Sequence, residues 1–277
     1  MKKLLTSLVA ASLLLTACSK TEATPSKQVE TTTTVKELSK EEIVKKFYDN
    51  FSNAQSFNAE NNTVFSDHEL TMILKLKSPT IIGTQDISMQ GYVNIPPIDG
   101  SEKMDGDISF IKKDDTTYIN IPSLTQAGWI KTKNAEMTSS LAPFKGISEY
   151  FELKELFKDT NDNIKVSEEN GKYKISYDKI DEKVYKIIAD KLVALKVIDK
   201  SDATIPTNFS NSQGQVIFTV SKENFNVENL DFSLSLKEGS EHITIKSSSK
   251  ITDINQVSQI TLPEGAQYAI DAESLGA

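Results

Sequence analysis

The sequence has no arginine, and it has few of the residues on which catalysis and metal binding depend. All 31 basic residues are lysine, and the chain contains one Cys and two His. Without arginine, the protein lacks the planar guanidinium that binds a carboxylate or phosphate through two parallel hydrogen bonds. A single Cys excludes a disulfide within the chain, and so few Cys and His residues argue against a zinc site. The sequence therefore predicts neither a metal nor a cofactor.

Net positive charge is also absent. The 39 acidic residues outnumber the lysines and give a formal net charge of -8. The lysines are spread among acidic residues, as on a solvated surface, and no glycine-rich phosphate loop is present. An acidic chain repels nucleic acid at long range. The sequence therefore excludes nucleic acid as a partner, and we expect a monomer.

Long apolar runs are missing except at the N-terminus. Lys2 and Lys3 precede an apolar stretch from Leu4 to Leu15, which is too short to cross about 30 Å of hydrocarbon. A positive start, a short apolar core and small residues are typical of a secretory signal. The following Leu15-Thr16-Ala17-Cys18 resembles the bacterial lipobox. This resemblance implies a signal peptide over residues 1–17, a diacylglyceryl group on Cys18, and an anchor on the extracellular face of the membrane.

The rest of the chain divides into a tether, one domain and a tail. Residues 18–38 are rich in Thr and have no apolar periodicity, so we expect a flexible tether after the lipidated Cys18. Residues 39–265 contain no internal repeat and no linker, which favours a single domain. We expect residues 266–277 to form a loose C-terminal tail.

Periodicity within the domain predicts an α+β fold. Ser39 and Glu42 have the spacing of a capping box and precede an amphipathic helix. From residue 68 onward, most segments alternate apolar and polar residues, which is typical of an antiparallel sheet with one wet face. Helical patterns over 147–158 and 180–195 interrupt the strands. The pattern therefore predicts a meander, two helices and then more strands.

The apolar positions of these strands have two interpretations. They form either a filled core beneath the helices or the wall of a cavity for an apolar ligand. The helical insertion between them would then be the cover. The candidate cavity residues are Met72, Leu74, Met89, Val93, Ile108, Phe110, Phe218, Phe232 and Leu234.

The order of elements, with three short motifs, resembles the LolA/LppX-like lipoproteins. The motifs are Tyr118-Ile119-Asn120-Ile121-Pro122, Gly128-Trp129-Ile130-Lys131 and Ile260-Thr261-Leu262-Pro263. The sequence is more closely similar to uncharacterised Gram-positive lipoproteins of that shape. The resemblance implies a curved antiparallel sheet, or half-open barrel, wrapped over helices. It also implies an apolar hollow that holds acyl chains in the characterised members, and hence a lipid or other amphiphile as ligand.

Two alternatives remain from the sequence. The first is a surface interaction or envelope-maintenance lipoprotein with a filled core and no ligand. The second is an enzyme, which would require His68 or His242 beside a Ser and a carboxylate in a cleft. A calcium loop is disfavoured at 159–170, because Ile164 and Asn170 replace the required Gly and Glu. We therefore expect a protein without enzymatic activity.

Overall fold

The structure, a computed structural model, describes residues 37–66, 71–84, 86–97, 103–121, 128–133, 153–179, 181–187, 212–238 and 241–275. The predicted signal peptide, Cys18 and most of the tether lie outside the described residues. His68 also lies outside them, as do large parts of the two predicted central helices.

The first helix, α1 (Lys40–Ser52), begins where the capping box predicts. The Ser39 hydroxyl accepts a hydrogen bond from the Glu42 amide at 3.2 Å, and the Glu42 carboxylate accepts one from the Ser39 amide at 2.8 Å. These two bonds satisfy amide groups that have no partner within the helix. The apolar side of α1 is buried through Ile43, Val44, Phe47 and Phe51. The prediction of this helix is confirmed.

Twelve strands form one sheet in the described part of the chain. They are β1 (Ser56–Ser66), β2 (Thr71–Ile81), β3 (Asp86–Ile95), β4 (Met104–Lys113), β5 (Thr116–Asn120), β6 (Ile130–Thr132), β7 (Ile164–Glu169), β8 (Lys172–Tyr177), β9 (Gln213–Ser221), β10 (Val227–Glu238), β11 (Glu241–Thr252) and β12 (Ile270–Asp271). Residues 153–157 form a 3-10 helix and residues 182–187 are α-helical.

The strand order is β12-β6-β5-β4-β3-β2-β1-β11-β10-β9-β8-β7. Every pair is antiparallel except β12 and β6, which are parallel. The sheet is curved and does not close on itself. A curved antiparallel sheet with helices on one face is the predicted α+β class, which is confirmed.

One face of the sheet, here called the inner face, packs against α1. Residues directly opposite each other in neighbouring strands lie on the same face. Leu74 is opposite Thr63, Thr63 is opposite Ser247, and Ser247 is opposite Phe232. This row carries the inner face from β2 across β1 and β11 to β10.

Strand β1 was not predicted, and β11 was predicted only around Ile243 and Ile245. The reason lies in the side chains on the inner face. In β1, Asn61 and Thr63 occupy buried positions where alternation would place apolar residues. In β11, Ser247 and Ser249 do the same. Without apolar residues at these positions, the period-2 signal is lost.

The expectation of a loose tail was wrong for residues 266–275. The chain there forms two 3-10 turns and β12, and the Ile270 amide donates a hydrogen bond to the Trp129 carbonyl at 2.9 Å. Gly265 lies so close to Trp129 that a Cβ would be 2.9 Å from the ring. The buried side chains of this segment include those of Ala266 and Ala272. Such small side chains give no visible apolar pattern in the sequence.

Candidate functional site

All the predicted cavity residues lie on the inner face of the sheet. Met72 and Leu74 lie on β2, Met89 and Val93 on β3, Ile108 and Phe110 on β4, Phe218 on β9, and Phe232 and Leu234 on β10. Leu74 is half-buried, and the others are buried. The structure therefore brings them onto one face of the sheet, which has three differently built regions.

The first region is an aromatic cluster beneath α1, formed by Phe47, Phe51, Phe157, Tyr177 and Phe218. The Phe47 and Phe218 ring centroids lie 4.8 Å apart, and Phe157 meets Phe218 edge-on at 5.3 Å. Phe47 and Phe218 are completely buried. Edge-to-face contacts of this kind add to the free energy of burial. The surface of Phe218 is thus taken by the protein's own side chains.

Tyr177, at the border of the aromatic cluster, has a satisfied hydroxyl. It donates a hydrogen bond to an Asp181 carboxylate oxygen at 2.7 Å. Burial, followed by the hydrogen bond to Asp181, raises the pKa of Tyr177 from 10.0 to about 12. Both effects favour the neutral phenol, which therefore acts as a hydrogen-bond donor across the neutral pH range.

The second region is a polar patch formed by Asn61, Thr63, Ser247 and Ser249. The Asn61 amide nitrogen donates to the Ser247 and Ser249 hydroxyls at 3.1 and 2.8 Å. The Thr63 hydroxyl donates to the Asn61 carbonyl oxygen at 2.8 Å and lies 2.8 Å from the Ser247 hydroxyl. All four residues are buried. The patch therefore forms a hydrogen-bonded network in the middle of an apolar face.

The third region is an aliphatic rim formed by Ile95, Met104, Leu236 and Ile243. Ile95 is opposite Met104, and Leu236 is opposite Ile243. The antiparallel pairings place both pairs at the same ends of their strands. These strand ends form one edge of the inner face. All four side chains are only half-buried, although they pack against the core. Apolar surface is thus accessible at this edge of the inner face.

Two glycines leave inner-face positions near this edge without a side chain. Gly106 is opposite Val93, and a Cβ added there would meet nothing within 4 Å. Gly91 is opposite Ile108, and its backbone approaches β2 so closely that a Cβ would lie 2.0 Å from the Lys75 carbonyl oxygen. Only glycine fits at Gly91.

A separate depression of about 320 Å³ lies on the outer face of the sheet. It crosses β1, β11, β10 and β9 and is lined by residues that include Asn62, Val64, Ile217 and Lys246. Phe232 is the one predicted cavity residue among those lining it. No pattern in the sequence indicates this depression, because its residues are those of an ordinary solvent-exposed sheet face.

The remaining candidates from the sequence do not meet at the inner face. His242 lies on the outer face, and its Nε2 is 3.0 Å from the Ser235 hydroxyl. No group of three or more His, Cys, Asp or Glu residues that could hold a metal ion occurs within the described residues. Among those same residues, no helix is long and apolar enough to cross a membrane.

The chain is similar to several solved structures at low sequence identity. The lipoprotein LppX of Mycobacterium tuberculosis aligns with 80% of this chain and 96% of its own at 9% identity, with a TM-score of 0.38. A LolA superfamily protein of Nitrosomonas europaea aligns with 82% and 96% at 10% identity and a TM-score of 0.23. A putative outer membrane lipoprotein-sorting protein domain of Vibrio parahaemolyticus aligns with 81% and 94% at 10% identity and a TM-score of 0.24.

A search of the curated proteins found no match. A family model does match, over residues 34–270, which include α1, strands β1 to β11 and the first residue of β12. The chain belongs to the family of unknown function DUF6612.

Proposed function

We propose that this protein is a lipoprotein anchored through Cys18 on the extracellular face of a bacterial membrane, where it holds an amphiphile against the inner face of its sheet. The ligand would be carried or presented at the envelope. Affinity would come from apolar burial, worth about 25 cal/mol per Å², and not from salt bridges to a headgroup. The protein would act as a monomer and without catalysis.

The anchor is supported by the N-terminal sequence. The charged start, the short apolar core and the chain's single Cys at position 18 have the order that lipidation requires. Two acyl chains on one residue hold a protein stably at a membrane, whereas one does not. Cys18→Ser should therefore move the protein from the membrane fraction to the medium. Unchanged membrane retention of that variant would contradict the anchor.

The accessible aliphatic rim is the observation that carries the ligand proposal. An apolar inner face sealed at every edge would need no explanation beyond core packing. Here Ile95, Met104, Leu236 and Ile243 stay half-buried at one edge and continue directly into the buried inner face. Adaptable Met side chains near this edge, such as Met72, suit a flexible chain.

The test uses the mature chain, residues 18–277 with Cys18→Ser. Lipid mass spectrometry on protein purified from its native host should find a co-purified amphiphile. Titration with a pyrene-labelled C16 fatty acid should be saturable. The absence of both a co-purified lipid and saturable binding would overturn the proposal.

A pair of matched variants locates the binding surface. Met89→Trp adds an indole to the inner face, and Ile217→Trp adds one to the depression on the outer face. We expect the first to weaken probe binding at least tenfold and the second to leave it unchanged. The reverse result would move the ligand to the outer depression.

The filled-core alternative, a surface interaction lipoprotein without a ligand, is favoured by one observation. The aromatic cluster fills the space between α1 and the neighbouring strands with the protein's own rings. If the rest of the inner face is packed in the same way, Met89→Trp should cost about 1–3 kcal/mol of unfolding free energy because of overpacking, and no probe should bind.

A further inference from the structure

The outer face of the sheet concentrates lysine in a chain whose net charge is -8. Strands β2 and β11 lie on either side of β1. No acidic residue occupies an outer-face position of β2 or β11, and the charged residues at those positions are all lysines. These residues, here called the lysine face, are Lys75, Lys77, Lys246 and Lys250. The lysine face is therefore a region of positive charge on an acidic protein.

Three of these four lysines have no counter-charge from the protein. Lys77 forms an ion pair with Glu60 at 3.1 Å. Lys75, Lys246 and Lys250 are exposed, and within the described part of the chain they form no ion pair. Their ammonium groups can therefore meet an anion outside the protein.

Two acidic residues lie beside the lysine face, on the outer side of β1 and β10. Glu60 is the residue paired with Lys77, and Asp231 accepts a hydrogen bond from the Ser248 hydroxyl at 2.7 Å. Four lysines thus face two acidic residues over these four strands, so the local charge stays positive. At physiological ionic strength charges are screened over about 8 Å, and this local charge decides what can approach.

Apolar side chains lie among the lysines. Ile73 is opposite Val64, and Val64 is opposite Lys246 in the next strand. Ile73 and Val64 are half-buried, although they belong to the outer face. Val64 and Lys246 also line the depression of about 320 Å³, with Ile217 on its far side. The lysine face therefore combines accessible ammonium groups with apolar contacts and a recess.

The spread of the lysines favours an extended anionic surface over a single small anion. Lys75 and Lys246 are two strands apart, which is about 10 Å, and Lys246 and Lys250 are separated by about 13 Å along β11. One small anion would reach only part of this area. The headgroup layer of an anionic bilayer presents phosphates over the whole of it, with apolar groups directly beneath.

We infer that the lysine face is an interaction surface for an anionic phospholipid bilayer and orients the domain against the membrane. This inference goes beyond the proposed function and does not depend on a bound amphiphile. The rim residue Ile243 lies on the same strand as Lys246, so this orientation also holds the aliphatic rim near the bilayer.

The experiment uses Cys18, the chain's single cysteine, as the point of attachment. Unlipidated chain 18–277 is coupled through this thiol to a maleimide lipid in vesicles of phosphatidylcholine, either alone or with about 30 mol% phosphatidylglycerol. Acetylation of each lysine is then followed by mass spectrometry. Lys75, Lys246 and Lys250 should react about fivefold more slowly on the anionic vesicles, since about 1 kcal/mol per lysine corresponds to fivefold. At about 0.5 M salt this protection should disappear.

Lys45 is the internal control, because it is exposed on α1, on the other side of the sheet. Its acetylation rate should be the same on both kinds of vesicle. Equal rates on the two vesicles for Lys75, Lys246 and Lys250, or the same slowing at Lys45, would overturn the inference.

Two triple variants with the same change of net charge complete the test. In Lys75→Gln/Lys246→Gln/Lys250→Gln the protection of Lys77, which this variant keeps, should be lost. In the matched variant, three exposed lysines outside the strands are replaced, and Lys77 should stay protected. That variant is Lys45→Gln/Lys158→Gln/Lys179→Gln. An equal loss of protection in both variants would show an effect of net charge alone and would also overturn the inference.

Failure of this experiment and failure of the proposed function are distinguishable. The chemical coupling supplies the anchor, and no amphiphile is added to the protein. Anchoring in the cell and binding of the fatty acid are measured by the separate experiments on Cys18→Ser and on the pyrene-labelled probe, and either can succeed when the lysine face shows no protection.

Discussion

The aromatic cluster and the polar patch lie on the same inner face, but they differ in what occupies them. Beneath α1, ring packs on ring, and Phe47 and Phe218 have no exposed surface. On β1 and β11, the same face presents hydroxyls and an amide that hydrogen-bond to one another. The first region is built as a core. In the second region the buried groups are polar, and they stabilise a fold less than apolar groups of the same size would.

This difference indicates separate roles for the two regions. A face selected only for stability would be apolar throughout, because matched apolar replacement of a buried polar group is neutral or stabilising. The region under α1 meets that expectation and the β1–β11 region does not. Sites that bind ligands often retain groups that weaken the fold.

The largest expected effect is in the aromatic cluster. Phe47→Ala should lower the free energy of unfolding by about 3–5 kcal/mol, because it removes a fully buried ring and leaves a cavity. Urea denaturation followed by fluorescence measures this loss. Lys45→Ala, at an exposed position on the same helix, should change stability by less than about 0.5 kcal/mol. A loss below 1 kcal/mol for Phe47→Ala would remove the contrast between the two regions.

Substitutions in the polar patch should change stability less. A single substitution and replacement of the whole patch should differ in sign. Asn61→Ala alone should cost about 1–3 kcal/mol, because it removes three hydrogen bonds from a buried network. Replacing the whole patch, with Asn61→Leu, Thr63→Val, Ser247→Ala and Ser249→Ala together, should restore or exceed the original stability.

If the patch contacts the ligand, the same replacement should also change the affinity for the pyrene-labelled C16 fatty acid, whereas a purely structural patch would leave that affinity unchanged. Urea denaturation and the probe titration on one protein sample separate these outcomes. If the full replacement is as destabilising as Asn61→Ala, the patch is required for the fold and the contrast drawn here is wrong.

The smallest effect concerns pH and Tyr177. Its pKa is raised from 10.0 to about 12, so the folded protein keeps a proton that the unfolded chain releases. The corresponding stability is present below pH 10 and is lost as the pH rises towards 12. Tyr177→Phe should therefore flatten the decline of stability over this range. Tyr268→Phe, at a side chain that is 80% exposed, should give the same decline as the unaltered protein.

The sequence predicted the elements whose local signals agree with the fold. The capping box placed the start of α1, and regular alternation located the strands around Leu74, Met89 and Ile108. Alternation also placed every candidate cavity residue on one face, since side chains two apart along a strand point the same way. It could not show that α1 fills the space above Phe218, because packing between distant segments leaves no local pattern.

The elements that were missed, β1 and most of β11, carry the polar patch. Strand β1 and most of β11 escaped because Asn61, Thr63, Ser247 and Ser249 interrupt the apolar period on the inner face. Val64 and Phe65, beside Thr63, could have indicated strand β1, because β-branched and aromatic residues are enriched in strands. Places where local rules fail are often functional sites.

The pairing of β1 with β11 also has a consequence for the order in which the protein folds. Thr63 and Ser247 are in contact although 184 residues separate them in the chain. Strands β2 to β5 and β7 to β10 join neighbours that are mostly close in sequence and can pair early in folding. Strand β1 cannot pair on this side until β11 is available, so that edge of β1 stays unpaired until the C-terminal part of the chain takes part in folding. The hydrophilic side chains of β1 would keep that unpaired edge solvated and slow its association with other chains.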